Sequence, residues 1–225
     1  PEHIASDDAL RRLILRYRDG KRLRALLPKM RQRYLRFKRN DIADNLLFEA
    51  AQIYEKDLDQ PDQAVALYLE LARDYPKSQL FDDSLYLAGN LRFEQKRYAD
   101  AILIYKKLLS TREDALGGAS YLSEWMDDSQ LAIARIWLTG LKKPKRAQRE
   151  FRIVVTDFPT SVLRDDAQFW IVLCEVERGR TREARRAFDE LLKKYPDSRY
   201  SRDGPALPAS GRGRTTSGPI SGRWP

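Results

Sequence analysis

One short pattern occurs three times in the chain, and this repetition constrains the fold more than any other feature. An aromatic residue, Pro, any residue and Ser stand in that order at residues 75–78, 158–161 and 195–198. An Asp follows seven places after each Pro. Because proline lacks the amide hydrogen that a continuing helix needs, and a Ser hydroxyl can cap the next helix, each copy predicts one helix end followed by one helix start.

The residues ahead of each Pro recur as well. An Ala stands twelve places before each Pro, and an aromatic residue follows that Ala four places later. These pairs are Ala64 with Tyr68, Ala147 with Phe151 and Ala184 with Phe188, and a fourth pair without a Pro is Ala101 with Tyr105. Apolar residues spaced by three, four and seven places line one side of a helix, so each pair predicts an amphipathic helix.

The helix after each junction follows a pattern of its own. The residue six places after Asp44, Asp83, Asp128 and Asp166 is small or β-branched, namely Ala50, Gly89, Ala134 and Val172. A small side chain lets two helices approach closely. The repeated Ala recurs after 37 residues in two of the three intervals. Two antiparallel helices that repeat at this spacing predict an all-α solenoid without strands.

The small-residue position, the Ala with its aromatic partner and the Pro before the next helix resemble the tetratricopeptide repeat (TPR), whose usual period is 34. The longer period and the junction YPxSxxxxDD resemble the subgroup found in bacterial envelope proteins, notably the BamD-type outer-membrane assembly lipoproteins and the periplasmic Tol-Pal accessory proteins. The resemblance covers Asp44 to Ser198. It implies a right-handed superhelical solenoid of about five antiparallel helix pairs.

The repeats divide the chain into a body and two flanking segments. We expect four TPR-like units at residues 44–79, 80–115, 127–161 and 162–198. Residues 1–43 are predicted to form a basic helix pair, a degenerate repeat or cap, with Pro28 interrupting the start of its second helix. A loop insertion at 110–127 replaces one Pro-Ser junction, and residues 199–225 are predicted to be a flexible basic tail rich in Pro and Gly.

The net charge of +9 is not spread evenly. Residues 1–39 hold 13 Lys and Arg against 4 Asp and Glu, whereas residues 40–198 hold 24 against 28. The basic N-terminal segment is either a solvated capping face or a docking surface for acidic protein, anionic lipid or nucleic acid. For the second alternative, Arg31, Arg33 and Arg36 are the candidate docking residues.

The sequence offers little for catalysis. His3 is the only histidine and Cys174 the only cysteine, and no glycine-rich phosphate loop is present. This composition excludes histidine triads, His-rich metal sites and cysteine-zinc sites. The paired carboxylates recur at helix starts, where they favour the helix dipole. We expect no enzyme, no cofactor, no metal site, and a buried Cys174 thiol.

The same composition bears on membranes and on disorder. Hydrophobic residues make up 42% of the chain and charged residues 33%, which favours a folded protein with a core. No apolar run reaches the roughly 18 residues that predict a membrane-spanning helix. Peripheral association with a membrane remains compatible with the sequence.

The resemblance also implies where a partner binds. In TPR proteins the first helix of each unit lines the concave side, so positions three, seven and ten after each Asp are expected to face inward. The candidate partner-binding residues are Tyr54, Tyr86, Asn90, Phe93 and Arg135, with Tyr121 and Trp125 of the insertion as further anchors. Aromatic and Arg side chains supply much of the energy at such surfaces. The alternative for the inward positions is that several of them pack between units, and the alternative for the insertion is that it is mobile filler.

These features lead to a ranked set of functions. The first hypothesis is a non-enzymatic TPR scaffold that holds other proteins in a multi-subunit assembly, periplasmic or associated with the outer membrane, with the cytoplasm as the alternative. The second is a protein that binds nucleic acid or an anionic membrane through its basic N-terminal helices. The third, a co-chaperone that grips a C-terminal carboxylate, ranks last because its Lys and Asn pattern is not evident.

Overall fold

The computed structural model describes residues 12, 20–38, 43–116 and 124–202. Within these ranges the regular elements are ten helices, with no strand. They are α1 (Gly20–Arg36), α2 (Ala43–Gln52), α3 (Pro61–Asp74), α4 (Phe81–Glu94), α5 (Tyr98–Leu116), α6 (Met126–Arg135), α7 (Pro144–Asp157), α8 (Arg164–Glu177), α9 (Thr181–Lys194) and α10 (Arg199–Arg202). Helices α2 and α6 each continue into a π-helical turn, Ile53–Asp57 and Ile136–Gly140.

The helices pack in chain order. The pairs α2–α3, α4–α5, α6–α7 and α8–α9 form hairpins, and each hairpin contacts the next through α3–α4, α5–α6 and α7–α8. The predicted all-α solenoid of adjacent helix pairs is therefore confirmed. None of the helices in the described ranges combines the length and the apolar composition that crossing a bilayer requires.

The recurring Ala and aromatic residues form the centre of this packing. All four recurring Ala residues are buried, and the rings of Tyr68, Tyr105 and Phe151 are 0% exposed. Phe188 is only half-buried, because α9 belongs to the last complete hairpin. Gly89 is needed for close approach, since a Cβ placed there would lie 2.6 Å from Cε1 of Tyr105.

The turn between the two helices of each hairpin has one residue with a left-handed backbone. These residues are Asp59, Lys96, Lys142 and Gly179, with φ angles of 50°, 58°, 53° and 69°. Each lies five places before the recurring Ala of its unit. Only one of the four is a glycine, which is the residue that adopts this conformation without strain. The turn geometry is therefore a property of the repeat that the residue types alone do not indicate.

The Pro-Ser junctions link successive units. The hydroxyl of Ser78 accepts a hydrogen bond from the amide of Leu80 at 3.0 Å. The predicted capping role is wrong, because Leu80 is the N-cap residue of α4 and no side chain among the described residues caps that helix; the serine stabilises the turn before it instead. The same hydroxyl donates to Asp44 at 2.5 Å, at the start of the preceding first helix. Ser198 donates to Asp165 in the same way, at 2.7 Å. Each of these two junctions therefore also binds the unit before it.

Three predicted boundaries differ from the structure. Helix α1 runs for 17 residues with the exposed Pro28 in its interior, so its missing hydrogen bond falls on the solvent side and the helix continues. Helix α5 extends to Leu116, into the segment predicted as an insertion loop. The first residues of the predicted tail form α10, and the rest of that tail lies outside the described residues.

Candidate partner-binding surface

Five side chains lie on three successive first helices and form what we call the aromatic–arginine row. They are Tyr86, Asn90 and Phe93 of α4, Arg135 of α6 and Trp170 of α8. The Arg135 guanidinium lies 6.0 Å from the ring centroid of Phe93 and 5.7 Å from that of Trp170. Packing of the first helices thus brings residues from three units around one cation.

Arg135 is the least satisfied residue of the row. Its Nε atom is buried and has no hydrogen-bond partner among the described residues. Within the same part of the chain, its guanidinium forms no ion pair with a carboxylate. A buried donor without a partner costs about 1–3 kcal/mol. Arg135 as a whole is half-buried, so an acceptor from another molecule would meet the accessible part of its side chain rather than the buried Nε.

Tyr86 and Trp125 are already in contact with each other. Their rings are stacked with centroids 4.3 Å apart and planes 10° apart. The Trp125 indole also donates from Nε1 to Oδ1 of Asp83 at 2.6 Å. Phe169 and Tyr200 form an equivalent stack two units further along the chain, with ring centroids 3.9 Å apart. The structure thus gives Trp125 a packing role between units, which the sequence did not predict for the insertion.

A hydrogen bond from α5, the second helix of the same hairpin, holds the Asn90 side chain in place. Its Oδ1 accepts a hydrogen bond of 2.6 Å from the hydroxyl of the fully buried Tyr105. Burial raises the pKa of Tyr105, and the neighbouring Tyr86 raises it further. Burial also raises the pKa of Tyr86, aided by the charge of Asp128 and opposed by a hydrogen bond from Asn90. Both phenols therefore remain neutral hydrogen-bond donors at physiological pH.

Tyr54 is another of the candidate residues and lies in the π-helical turn that follows α2. It lines a groove of about 310 Å³ whose floor is α2 and whose walls are α1 and α3, together with apolar residues such as Leu27 and Leu67. Arg31 also borders this groove and pairs with Glu70 of α3 at 2.7 Å. Tyr54 also packs against the core cluster that Tyr86 and Trp125 contact. Tyr121, the remaining candidate, lies outside the described residues.

The three candidate docking cations of α1 differ in their surroundings. The hydrogen bond to Glu70 raises the pKa of Arg31 and fastens α1 to α3. Arg33 and Arg36 are exposed, with guanidinium carbons 5.5 and 5.4 Å from the ring centroid of Phe37. Only Arg33 and Arg36 of this set are available to a ligand without breaking a contact between helices.

Trp170 is the member of the row that the sequence analysis did not select. The expected inward positions of α8 began with Phe169, but Phe169 is buried against Tyr200. Trp170 is the next residue, about 100° further around the helix. It stacks on Phe151 at 5.8 Å and faces Arg135. The available signal was a second large aromatic residue directly after Phe169 in the same helix.

The described residues show no arrangement typical of a cofactor or metal site. No group of three His, Cys, Asp or Glu side chains in that part of the chain could hold a metal ion. Cys174 is buried, and burial raises the pKa of its thiol to about 12, with Glu175 contributing in the same direction. The thiol is therefore protonated and unreactive at neutral pH.

Sequence comparison finds a family for three segments of the chain. The tetratricopeptide repeat model matches residues 46–78, 83–112 and 166–198. Comparison with curated protein sequences gives no match.

Structural comparison agrees with the fold. A crystal structure of a kinesin light chain candidate from Podosopora anserina, with nearly identical TPR-like repeats, superposes on 85% of this chain and 94% of its own at a TM-score of 0.55 and 14% identity. A single-residue variant of it covers 85% and 93% at 0.54 and 14% identity. YrrB, a TPR protein with an unusual peptide-binding site, covers 74% and 75% at 0.47 and 18% identity.

Proposed function

We propose that this chain, which carries tetratricopeptide repeats in a TPR-like solenoid, is a non-enzymatic scaffold that binds a segment of a partner protein at the aromatic–arginine row. Tetratricopeptide repeats bind other proteins, and the row crosses three successive units. The single observation that carries the choice of site is the Arg135 guanidinium, which lies between two aromatic rings without a carboxylate partner among the described residues.

The chemistry of Arg135 defines what the row can bind. A guanidinium offers several N–H donors in one plane, which match a carboxylate or a pair of peptide carbonyls. The rings of Phe93 and Trp170 hold that plane in position and add apolar contact on either side. A peptide that places an acidic side chain or its carbonyl groups over Arg135 therefore gains both polar and apolar contacts.

The experiment captures the partner from the intact cell at a defined residue. Photo-crosslinking p-benzoylphenylalanine replaces Phe93 in one variant and the exposed Leu103 of α5 in a control. We expect a partner that crosslinks from position 93 and not from 103. Purified partner should then bind Arg135→Gln about tenfold or more weakly, as expected for a charge-assisted hydrogen bond. Equal crosslinking from both positions, or unchanged affinity of the variant, would contradict the proposal.

We further propose that the assembly belongs to the bacterial envelope. The support is the resemblance of the 37-residue spacing and the YPxSxxxxDD junctions to envelope TPR proteins. Fractionation of the source cells, with detection by an antibody against this chain, tests the compartment. Recovery in the cytosolic fraction alone would refute the envelope role and would leave the partner-binding site unaffected.

Binding of nucleic acid or an anionic membrane through α1 is the second candidate function. The observation that favours it is the exposure of Arg33 and Arg36. The double variant Arg33→Glu with Arg36→Glu discriminates the two functions. It should leave the affinity for the crosslinked partner unchanged if the scaffold proposal holds, and it should abolish a salt-dependent affinity for DNA or anionic vesicles if the alternative holds.

A further inference from the structure

The four hairpin turns share one backbone but differ in charge. Each turn comprises the seven residues that end at the recurring Ala, namely 58–64, 95–101, 141–147 and 178–184, and each contains the left-handed residue at its second position. The first turn holds two acidic residues and no basic one, whereas the third holds four basic residues and no acidic one. Because the same geometry forms with either charge, the fold does not require the basic residues of the third turn.

The cations of the third turn are exposed and unpaired. Lys142, Lys143, Lys145, Arg146 and the nearby Arg149 are what we call the basic corner. None of the five forms an ion pair within the described residues. The first and second turns, by contrast, neutralise part of each other's charge.

Neighbouring turns show that neutralisation. Arg97 of the second turn pairs with Asp100 at 2.8 Å and with Asp62 of the first turn at 3.5 Å. Arg178 of the fourth turn pairs with Glu175 at 3.2 Å, whereas Arg180 and Arg182 of that turn form no ion pair within the described residues. With four basic residues and no acidic one, the third turn has the largest positive charge of the four, although residues 40–198 as a whole carry 24 basic against 28 acidic side chains.

The position of the basic corner makes it unfavourable for folding. Helix α7 begins at Pro144 and has no acidic residue in its first turn, whereas α3, α5 and α9 each have one there. The N-terminal end of a helix carries about half a positive charge, so Lys145 and Arg146 oppose the helix dipole and repel each other. Apart from the contact of Arg146 with Trp137, the cluster opposes the helix dipole without a compensating ion pair among the described residues, and an anionic ligand would supply that compensation.

The basic corner surrounds a hollow rather than a flat patch. Its five side chains line a recess of about 700 Å³ together with Trp137, Pro144 and Glu150. The Glu150 carboxylate accepts a hydrogen bond of 2.9 Å from Gln130, and it is the one acidic side chain against five cations among the described residues of this lining. The Arg146 guanidinium carbon lies 3.7 Å from the centroid of the Trp137 ring, which fixes one cation against the wall. The Nε1 atom of Trp137 is buried and has no hydrogen-bond partner among the described residues. The recess thus offers a buried donor beneath a rim of cations.

We propose that the basic corner docks an acidic segment of a partner protein, a short run of Asp and Glu in an extended conformation. Alternate side chains of an extended peptide lie about 6.6 Å apart on one side, so that two or three carboxylates reach the rim cations together. Arg146 covers the face of Trp137, which leaves no open ring in the corner for stacking nucleic-acid bases. A planar bilayer contacts the rim of a recess but not its interior.

The test compares two variants with the same change in charge. Lys143→Glu with Lys145→Glu alters the basic corner, and Lys106→Glu with Lys193→Glu alters two exposed lysines elsewhere that form no ion pair within the described residues. The probe is fluorescein-labelled octaglutamate, followed by fluorescence anisotropy at about 50 mM salt, where exposed charges are weakly screened. We expect affinity to fall at least about fivefold in the corner variant and less than about twofold in the control.

Other probes distinguish other ligands. A single-stranded oligothymidylate and phosphatidylcholine vesicles with about 30% phosphatidylserine are measured in parallel. Stronger corner-dependent binding of either probe than of octaglutamate would overturn the proposal in favour of that ligand. An equal loss in both lysine variants would overturn it as well, since it would show dependence on net charge alone.

The outcome is separable from that of the proposed scaffold function. Arg135→Gln is titrated with octaglutamate in the same series. Loss of binding there, with the corner variant unaffected, would move the acidic segment to the aromatic–arginine row and overturn the role of the corner. No binding of octaglutamate to the unaltered chain would also overturn it, while the crosslinking test at position 93 would keep its own result.

Discussion

Gly89→Ala should destabilise the solenoid even though alanine is the better helix former. The Cβ added at Gly89 would lie 2.6, 2.8 and 2.9 Å from Cε1, Cδ1 and Cζ of Tyr105. Real Cβ atoms do not approach so closely, so α4 and α5 must move apart or the ring must turn. The ring cannot turn freely, because it is 0% exposed and its hydroxyl is bonded to Asn90.

Two opposing effects set the size of the change. Replacing a helical glycine with alanine gains about 1 kcal/mol from propensity. Overpacking a core typically costs about 1–3 kcal/mol, and contact below 3 Å with a fixed ring places this site near the upper end. The net loss in the free energy of unfolding should therefore be about 1–2 kcal/mol, with urea denaturation followed by circular dichroism as the assay.

A double-mutant cycle isolates the cause. In the background Tyr105→Leu the ring is absent, so adding Gly89→Ala should be neutral or stabilising by up to about 1 kcal/mol. The coupling energy between the two positions should reach about 2 kcal/mol. If Gly89→Ala stabilises the unaltered chain, or if its effect is the same in both backgrounds, the close packing of α4 on α5 at this point is refuted.

Further predictions use the same unfolding assay. Tyr68→Ala should cost about 3–5 kcal/mol and Phe188→Ala clearly less, because Tyr68 is fully buried and Phe188 only half-buried; equal losses would contradict this order. Lys96 and Gly179 both have positive φ, which glycine adopts without strain. Lys96→Gly should therefore raise the free energy of unfolding by about 0.5–1 kcal/mol, and Gly179→Ala should lower it by about 1 kcal/mol. Changes of the opposite sign would refute the turn geometry. Hydrogen bonds from Arg73, Lys38 and Tyr34 hold the pKa of Asp74 below its usual value. The stability that the Asp74 carboxylate contributes is therefore present above about pH 4 and lost as the pH falls further. The variant Asp74→Asn should lose less free energy of unfolding between about pH 4 and lower pH than the unaltered chain does.

The helices and their buried residues could be predicted because they are repeated. Ala64 and Tyr68 recur at the same spacing in every unit, and a contact that is repeated four times leaves a periodic trace in the sequence. The same periodicity located Gly89, whose lack of a side chain admits Tyr105. Helix pairing followed from the period alone, since an amphipathic hairpin can bury its apolar side only against the next one.

The residues that could not be predicted are those whose partners are not periodic. Trp125 stacks on Tyr86 and bonds to Asp83, and nothing in the unit that contains the insertion indicates these partners beforehand. The Trp125 indole donates a hydrogen bond to an Asp of the preceding first helix. At two Pro-Ser junctions the Ser hydroxyl makes the equivalent hydrogen bond. Trp170 was missed because the inward direction of α8 differs by one residue from that of the resemblance.

The restriction of contacts to neighbouring helices determines how the solenoid comes apart. Among the described residues, the hairpin α8–α9 contacts a complete hairpin on one side only, and Phe188 of α9 is half-buried. Fraying should therefore start at the last hairpin and proceed inward one unit at a time. Because α4 and α6 have a complete hairpin on each side, Phe93 and Arg135 should be among the last positions whose amides exchange with solvent.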